Sequence, residues 1–515
     1  MERSIAIIGA GVAGLSAGCY GRMNGYRTEI FEMHDKPGGL CTAWQRKGYT
    51  IDGCVHWLVG SRPGSGMHRV WEELGAVQGR TFVDADEFLR YEARDGKALI
   101  LHADVDRLEE HMLDLAPEDA EAIRDLCNGV RACVKVGDMP LGKPSELMSA
   151  WEKAWLGIEM AWKYRRVVRW LRQPTTAVMA KFKNPLIRNG ILSAWPGTFP
   201  AGFLLMTLAW LHSKSAGYPI GGSLEFARAI EDRYRTLGGE VHYNARVAKI
   251  LVEGNRAVGV RLADGTEHQA DTVISAADGH STLFDLLEGA FVDDTVHGYY
   301  ETLQPFPALV FVGLGVGRSF DDVPKTVSGL QWELPEPVEI ADQKLESIGF
   351  HIFNQDPTLA PPGKTAVTCM IPSSLEWWEG LRKDPKRYDA EKAKVAETVI
   401  GLLDRRFPGT AARVEMRDVA TPVTFVRYTG NWQGSFEGWM VTPETIALRM
   451  KKTLPGLSNF WMCGQWVEPG GGLPPAAISG RHVVQLVCHE DGRRFVTNVP
   501  ETKAQGGARG VDRAK

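Results

Sequence analysis

The stretch Ser4-Ile-Ala-Ile-Ile8-Gly9-Ala-Gly11-Val-Ala-Gly14, followed by Leu15 to Asn24, Gly25, Arg27-Thr-Glu-Ile-Phe31 and Glu32, decides the fold. Ile5 to Ile8 is a short apolar run of the kind that forms a buried parallel strand. A helix is predicted from Val12 to about Asn24, with Gly25 ending it, and a second strand from Arg27 to Phe31. Strand, glycine turn, helix and strand make one βαβ unit. Each glycine has a physical task. Gly9 allows the tight turn, Gly11 presents bare backbone to a pyrophosphate, and Gly14 lets helix and strand pack closely. The first turn of the helix, at Val12 and Ala13, offers free N–H groups and a partial positive charge to phosphates. Glu32 lies eighteen positions after Gly14, near the spacing of a ribose-binding acid. A carboxylate there favours a free 2′-hydroxyl and repels a 2′-phosphate. The bland alternative is a tight turn without ligand, with Glu32 a solvated strand end.

Working outward, two further stretches are α/β in character and rich in glycine. The regions 1–60, 219–290 and 452–500 are expected to build one discontinuous nucleotide domain. An inserted α+β substrate domain is expected from 61–218 and 291–451, and a disordered tail from 501–515. The fold class is therefore α/β: a Rossmann-like domain, with a parallel sheet and crossover helices, plus the α+β insertion. A chain of 515 residues with 44% hydrophobic content suits two or three domains. Its net charge of -4 provides no basic field, which excludes nucleic acid as an expected partner. The eight cysteines form no CxxC pair, so neither a metal site nor a disulfide framework is expected, and a reducing, cytoplasmic setting is. The apolar start lacks a cationic region and breaks at Gly9 and Gly11, so it reads as a strand rather than a signal peptide. Gly313-Leu-Gly315-Val-Gly317 imitates the nucleotide turn, but Arg318 and Asp321-Asp322-Val-Pro324 oppose a following helix. It reads as an ordinary strand of the second domain.

The second motif block follows Glu32: Pro37-Gly38-Gly39-Leu40-Cys41, then Gly48-Tyr-Thr-Ile-Asp52-Gly-Cys-Val55-His56-Trp57. Near the other end stands Cys463-Gly464-Gln465-Trp-Val467-Glu468-Pro-Gly470-Gly471-Gly472-Leu473-Pro-Pro-Ala476, before an apolar helix running to about Val487. Between them, Gly221-Gly222-Ser223 starts a helix, Glu240–Tyr243 is a strand, and Asp264-Gly265 marks a hairpin. Together these resemble the glutathione-reductase-type FAD domain. The resemblance implies FAD as cofactor. Gly38, Gly39 and Leu40 would continue past the pyrophosphate, and Val55 and His56 would lie beside the flavin. Val247 would meet the adenine through its main chain. Gly464, Gln465, Gly471, Gly472, Leu473 and Ala476 would lie at the pyrimidine edge, where a helix N-terminus stabilises negative charge. Many relatives have Arg where this chain has Leu40.

The branch is set by Tyr218-Pro-Ile-Gly-Gly-Ser223, Thr421-Pro422, Tyr428-Thr-Gly430, Gly434-Ser435, Gly438 and the Pro-Gly-Gly-Gly472 run. These resemble the phytoene desaturase, carotenoid isomerase and retinol saturase group. The resemblance implies hydride exchange between flavin N5 and a C–C or C=C bond of a long apolar small molecule, such as an isoprenoid or polyene. Desaturation, saturation and isomerisation are all open. The desaturases tend to have Thr-His where Val467-Glu468 stands here. Glu468 is a candidate proton donor or acceptor near the ring with its pKa raised by burial, or else a hydrogen-bonded loop carboxylate. His56 is a candidate ring-side acid–base, or else a packed histidine. Cys41 lacks a partner five positions on, where Arg46 stands, so no redox disulfide is expected. Two other readings compete. An amine-oxidase-like flavoenzyme would have Gly-Glu where Gly464-Gln465 stands. A non-catalytic prenyl- or lipid-binding protein on the same fold would not need Gly9, Gly11, Gly14 and Glu32 together.

Sixteen tryptophans are present. Trp151, Trp155, Ile158 and Trp162 share one helical face, accompanied by Lys153, Lys163, Arg165, Arg166, Arg169 and Arg172. A basic, Trp-bearing amphipathic stretch over 151–172 fits peripheral contact with a membrane surface, and equally a face packed inside the second domain. Ala201–Leu211, eleven apolar residues, is too short to span a bilayer and is expected to line a core or cavity. No oligomeric state follows from the sequence.

Overall fold

The computed structural model of the protein describes residues 2–137, 142–163, 165–326 and 329–500. The expected tail, 501–515, lies outside them.

A five-stranded parallel sheet has the order Glu240–His242, Arg27–Phe31, Ser4–Ile8, Thr272–Ser275, Phe460–Met462. Residues more than 450 positions apart in sequence thus share one sheet. Its central strand is apolar from Ile5 to Ile8 because both faces are covered. Ile5 and Ile7 enter a cluster with Leu15, Ala17, Phe226, Ile230, Val483 and Val484. Ala6 and Ile8 point the opposite way, to Val247, Ile250, Val260 and Val273. The first face is covered by the helices Val12–Met23, Gly222–Thr236 and Leu473–Glu490. The second carries the antiparallel strands Val247–Glu253, Arg256–Leu262 and Glu267–Gln269. The last helix starts at Leu473, slightly earlier than its apolar pattern indicates, with prolines in its first turn.

A second, seven-stranded sheet has the order Val414–Ala420, Leu309–Val316, Thr365–Pro372, Gln343–Ile352, Leu330–Ile340, Glu87–Glu92, Ala98–His102. The Gly313-x-Gly315 imitation lies in its wholly buried strand Leu309–Val316. A Cβ at Gly313 would meet Ile51, and one at Gly315 would meet Tyr49. These glycines therefore admit the hairpin Ala43–Arg46/Tyr49–Asp52 onto the sheet and have no phosphate to approach.

Helices Val105–Leu115, Ala120–Val136, Arg165–Leu171, Pro185–Ala194 and Ala201–His212 form a separate apolar layer. Ala201–His212 is buried on nearly every side and acts as its core rod. Gly129 lets Leu205 approach, and Gly202 does the same for Leu171. Among the described residues, no helix is long and apolar enough to cross a membrane.

The Trp-bearing segment forms helices Ala150–Lys163 and Arg165–Leu171. Ser149 and Glu152 begin the first with reciprocal backbone–side-chain hydrogen bonds. The expectation that this face could pack inside the second domain is corrected by the exposure of its residues. Trp151 is 75%, Trp155 58%, Ile158 62% and Trp162 73% exposed. The apolar layer is already closed by Val167 and Trp170 from the second helix, so the first turns its stripe outward.

Candidate functional site

The groove starts at the C-terminal end of Ser4–Ile8. Gly9 turns with φ +95°, and its N–H donates to Phe31 O at 2.8 Å. A Cβ at Gly14 would collide with Gly9 O, whereas one at Gly11 would meet nothing within 4 Å. The close approach at Gly14 is internal packing, and the bareness at Gly11 is open space. Gly11 precedes helix Val12–Met23 without a side-chain cap, so the first-turn N–H groups at Val12, Ala13 and Gly14 face an uncommitted site.

Glu32 is buried beside this turn. Ala10 N–H donates to one carboxylate oxygen at 2.7 Å and His34 N–H to the other at 2.9 Å. Burial raises its pKa, while the donors at Ala10, His34 and Met33 oppose that rise. Each oxygen keeps lone-pair capacity for a hydroxyl donor. Ala245 N–H reaches Glu32 O at 2.8 Å, which brings the segment leading to Val247 to the same end of the groove.

Gly38 and Gly39 form the opposing wall. Gly38 N–H donates to Ala10 O at 2.9 Å, and Gly39 lies over Gly11. Leu40 is half-buried on this wall. The next segment is fastened by Asp52, which accepts from Ser223 N–H at 2.7 Å, Cys54 N–H at 3.1 Å and the Ser223 hydroxyl. Val55 N–H donates in turn to Ser223 Oγ at 2.7 Å. Burial pushes Asp52 up to about 6 against those three donors. His56 stacks on His351 from the second sheet, centroids 3.8 Å apart and planes at 6°. Burial, then the His351 charge, hold His56 well below the ordinary histidine range. It is a packed, neutral imidazole. All eight cysteines are free thiols.

The C-terminal loop closes the site. Gly464 reaches Ala13, its N–H donating to Ser479 Oγ at 2.8 Å. Ser16 Oγ donates to Ala477 O at 2.6 Å, locking the first helix to the last. Gly471, Gly472, Leu473 and Ala476 make the turn and opening of Leu473–Glu490, which has no side-chain cap either. Gln465 lies against Gly438. The expectation of a buried, unpaired carboxyl at Glu468 is corrected. Glu468 is an ion-pair partner, 2.8 Å from Nζ of buried Lys452.

Sequence reasoning missed His351, Lys452 and Glu437. Glu437 lies in the segment Asn431–Met440 that runs along the C-terminal loop. Trp432 N–H donates to Asp278, Trp439 Nε1 to Trp466 O at 3.2 Å, and Gly470 N–H to Trp439 O. One signal was available: Glu437 is the lone acid between Asp418 and Glu444, inside the Gly434-Ser435…Gly438 motif.

A family profile described as flavin containing amine oxidoreductase matches residues 12–488. The chain belongs to that family. Its cofactor is FAD and it is an oxidoreductase. It is 26% identical over 490 residues to the chloroplastic prolycopene isomerase of Arabidopsis thaliana, covering 92% of this chain and 80% of that protein. It is 22% identical over 511 residues to the lycopene-forming phytoene desaturase of Paracoccus sp., covering 95% and 98%. Cyclohexylamine oxidase from Brevibacterium oxydans has the same fold, with TM-score 0.57, 16% identity and coverage of 96% and 100%. The residues present fit FAD. The turn is open at Gly11, Glu32 retains acceptor capacity, and two uncapped helix N-termini meet the groove.

Proposed function

We propose that this FAD oxidoreductase exchanges hydrogen with a C–C or C=C bond of a long apolar substrate, an isoprenoid or polyene. The observation that carries this reading is a row of rings that runs from Trp57, beside His56, to Phe436, beside the C-terminal loop. Trp57, next to His56, packs edge-on against Phe88 at 5.7 Å; Phe88 meets Trp195, and Trp195 meets Phe199 at 5.9 Å. Phe199 then meets Phe306 at 5.4 Å, and Phe306 meets Phe436 at 5.3 Å. Trp57 and Phe436 are only partly buried, and both join the apolar helical layer. Phe88, Trp195, Phe199 and Phe306 are buried in that layer, so the row is an apolar wall reached at Trp57 and Phe436; an extended hydrocarbon suits such a wall, whereas an ammonium group would have to be desolvated against it. The names of the curated relatives, a prolycopene isomerase and a phytoene desaturase, support the same substrate class.

In this reading the amides of Gly11, Val12, Ala13 and Gly14 hold the pyrophosphate and Glu32 holds the ribose. Val247 meets the adenine. Gly38, Gly39, Leu40, Val55 and His56 flank the ring system, and Gly464, Gln465, Gly471, Gly472, Leu473 and Ala476 border its pyrimidine edge. Bound FAD supplies hydride acceptance and donation. The chain's own residues orient the cofactor, exclude water and align the hydrocarbon. The regions 1–60, 219–290 and 452–500 act as the cofactor domain, and the intervening regions supply the substrate wall.

The helix Ala150–Lys163 meets a membrane surface in the same proposal and gives access to a lipid-dissolved substrate. Its exposed Trp151, Trp155, Ile158 and Trp162, with Arg165 and Arg169 following, match an anionic interface.

The test is anaerobic incubation of the FAD-loaded protein with polyenes of differing saturation and geometry in liposomes, followed by product analysis and visible flavin absorption. The expected result is a change in double-bond number or geometry, with cyclohexylamine and putrescine leaving the flavin unchanged. Bleaching by amines with no change in any polyene would overturn the proposal. Protein that cannot be loaded with FAD would overturn the cofactor assignments.

A further inference from the structure

The buried and half-buried titratable groups around the groove are nearly all committed. Glu32 accepts from Ala10 and His34, Asp52 from Ser223 and Cys54, and Asp278 from Ser281 and Trp432. Glu468 faces Lys452, and His56 is stacked on His351. Glu437 is the exception: its carboxyl makes no hydrogen bond and no ion pair among the described residues.

Its position is built. Gly471 has φ +67°, and a Cβ there would lie 2.7 Å from both Cβ and Oε2 of Glu437. Any side chain at 471 would evict the carboxyl, so this glycine creates its seat. Gly438, with φ +72°, lets the next residue press onto Gln465. The neighbour on the other side, Phe436, is the last member of the aromatic row. The carboxyl therefore sits where the loop opening the last helix meets the apolar wall. The two ends of the row are marked by a histidine held neutral, His56, and an acid without a partner, Glu437.

We propose that Glu437 is a catalytic residue that exchanges a proton with the substrate carbon beside the one exchanging hydride. This deepens the reading of the same site as an FAD oxidoreductase of C–C and C=C bonds, and rests on it. In the oxidative direction a CH–CH unit loses two hydrogens. One leaves as hydride, the chemistry FAD supplies, and the other leaves as a proton onto Glu437 Oε. The electron pair of the C–H bond broken at Glu437 becomes the new π bond. In the reductive direction the protonated carboxyl returns that proton, so atoms and charge balance both ways.

The environment suits the role. Burial alone pushes the carboxyl up to about 7, so both protonation states are populated at neutral pH. The charged groups on the packed elements are directed elsewhere. On the C-terminal loop Glu468 is held by Lys452, Asp278 beside Trp432 is held by backbone donors, and no charged neighbour shifts Glu437. Histidine 56, at the far end of the row, is neutral in this range.

The test uses the full chain loaded with FAD, as wild type, Glu437→Gln and Glu437→Asp. Melting temperature and FAD content first establish that each variant is folded and loaded. The visible spectrum of the oxidised flavin is then titrated without substrate, and deuterium uptake into a polyene is followed in D2O. The wild type is expected to show a spectral step with a midpoint near 7 that Glu437→Gln lacks. Deuterium uptake should fall about a hundredfold in Glu437→Gln, with partial recovery in Glu437→Asp. A loaded Glu437→Gln protein exchanging at the wild-type rate would overturn the proposal. So would a wild-type spectrum without the step, whether or not the variant retains FAD. A wild type that never turns yellow fails differently: the cofactor reading falls, and with it the ground for this one.

Discussion

At the groove, Glu32 is 6% exposed and each of its carboxylate oxygens receives a backbone N–H, while on the helix Ala150–Lys163 Trp151 is 75% exposed. One region takes charge into the interior; the other holds apolar surface out in water. Both arrangements cost free energy in the isolated chain. Desolvating a carboxylate costs several kcal/mol unless donors replace water, and each large side chain left exposed forgoes about 1.5–3 kcal/mol of burial. In the groove the cost is partly met by the backbone donors of Ala10 and His34, and each oxygen keeps a lone pair for a further donor. On the helix nothing within the described residues covers the stripe. The difference separates buried polar groups partly satisfied by the chain's own backbone from apolar groups that the described residues leave uncovered.

The comparison breaks most easily at Gly14. Gly14→Val would drive a branched side chain into Gly9 O, at a cost on the order of 3 kcal/mol, and push the turn away from Gly11. The purified variant should be colourless, with a lowered melting temperature; yellow protein of normal stability would remove the close packing from the argument. The outer region is tested by replacing Trp151, Trp155 and Trp162 with Ser. Sedimentation with anionic vesicles should fall at least about tenfold, while the melting temperature should stay within about a degree, because these side chains pack against little. A large loss of stability would show that the face is covered in solution by protein.

Smaller effects sharpen the contrast. Glu32→Gln keeps the shape but loses a charged acceptor, and its amide must face one of the two backbone donors. FAD affinity measured by fluorescence should weaken by about ten- to a hundredfold, corresponding to roughly 1.5–3 kcal/mol for a charged hydrogen bond. Asp52 yields the smallest change, in pH dependence. Burial raises its pKa in the folded state from the usual 3.8 to about 6. The folded state therefore binds this proton more tightly than the unfolded chain. Its stabilisation is complete below about 3.8 and is lost as pH rises through about 6. The slope is at most about 1.4 kcal/mol per pH unit for one proton. Asp52→Asn should flatten that part of the stability profile between pH 4 and 6, as followed by thermal melts. An unchanged slope would move the proton to another group.

Much of the groove was legible because its determinants are local. Gly9, Gly11, Gly14 and Glu32 lie within one βαβ unit, where the turn, the close contact and the strand end repeat at set spacings. Local context also separated the true turn from Gly313-x-Gly315, since Arg318 and the Asp321-Asp322-Val-Pro324 run oppose a helix. The paired partners were hidden for the opposite reason. His56 meets His351, Glu468 meets Lys452, and Glu437 finds its seat at Gly471, all through contacts between elements that no local spacing encodes. Glu468 illustrates the cost: a carboxyl in a Gly-Pro loop reads as a candidate acid until a buried ammonium is found beside it. The Trp stripe was legible as one face of a helix but not as inside or outside, because the 3.6-residue period is the same for a core contact and a solvent contact.

By itself the sequence determined that a parallel strand would run into a phosphate-sized glycine turn with an acid at the next strand end, because those demands are met within thirty residues of chain. The tertiary structure alone decided which titratable groups stay free, which are paired, and which face the tryptophans take. Ionisation and burial depend on what lies within a few ångströms in space, and the chain brings together there residues separated by hundreds of positions.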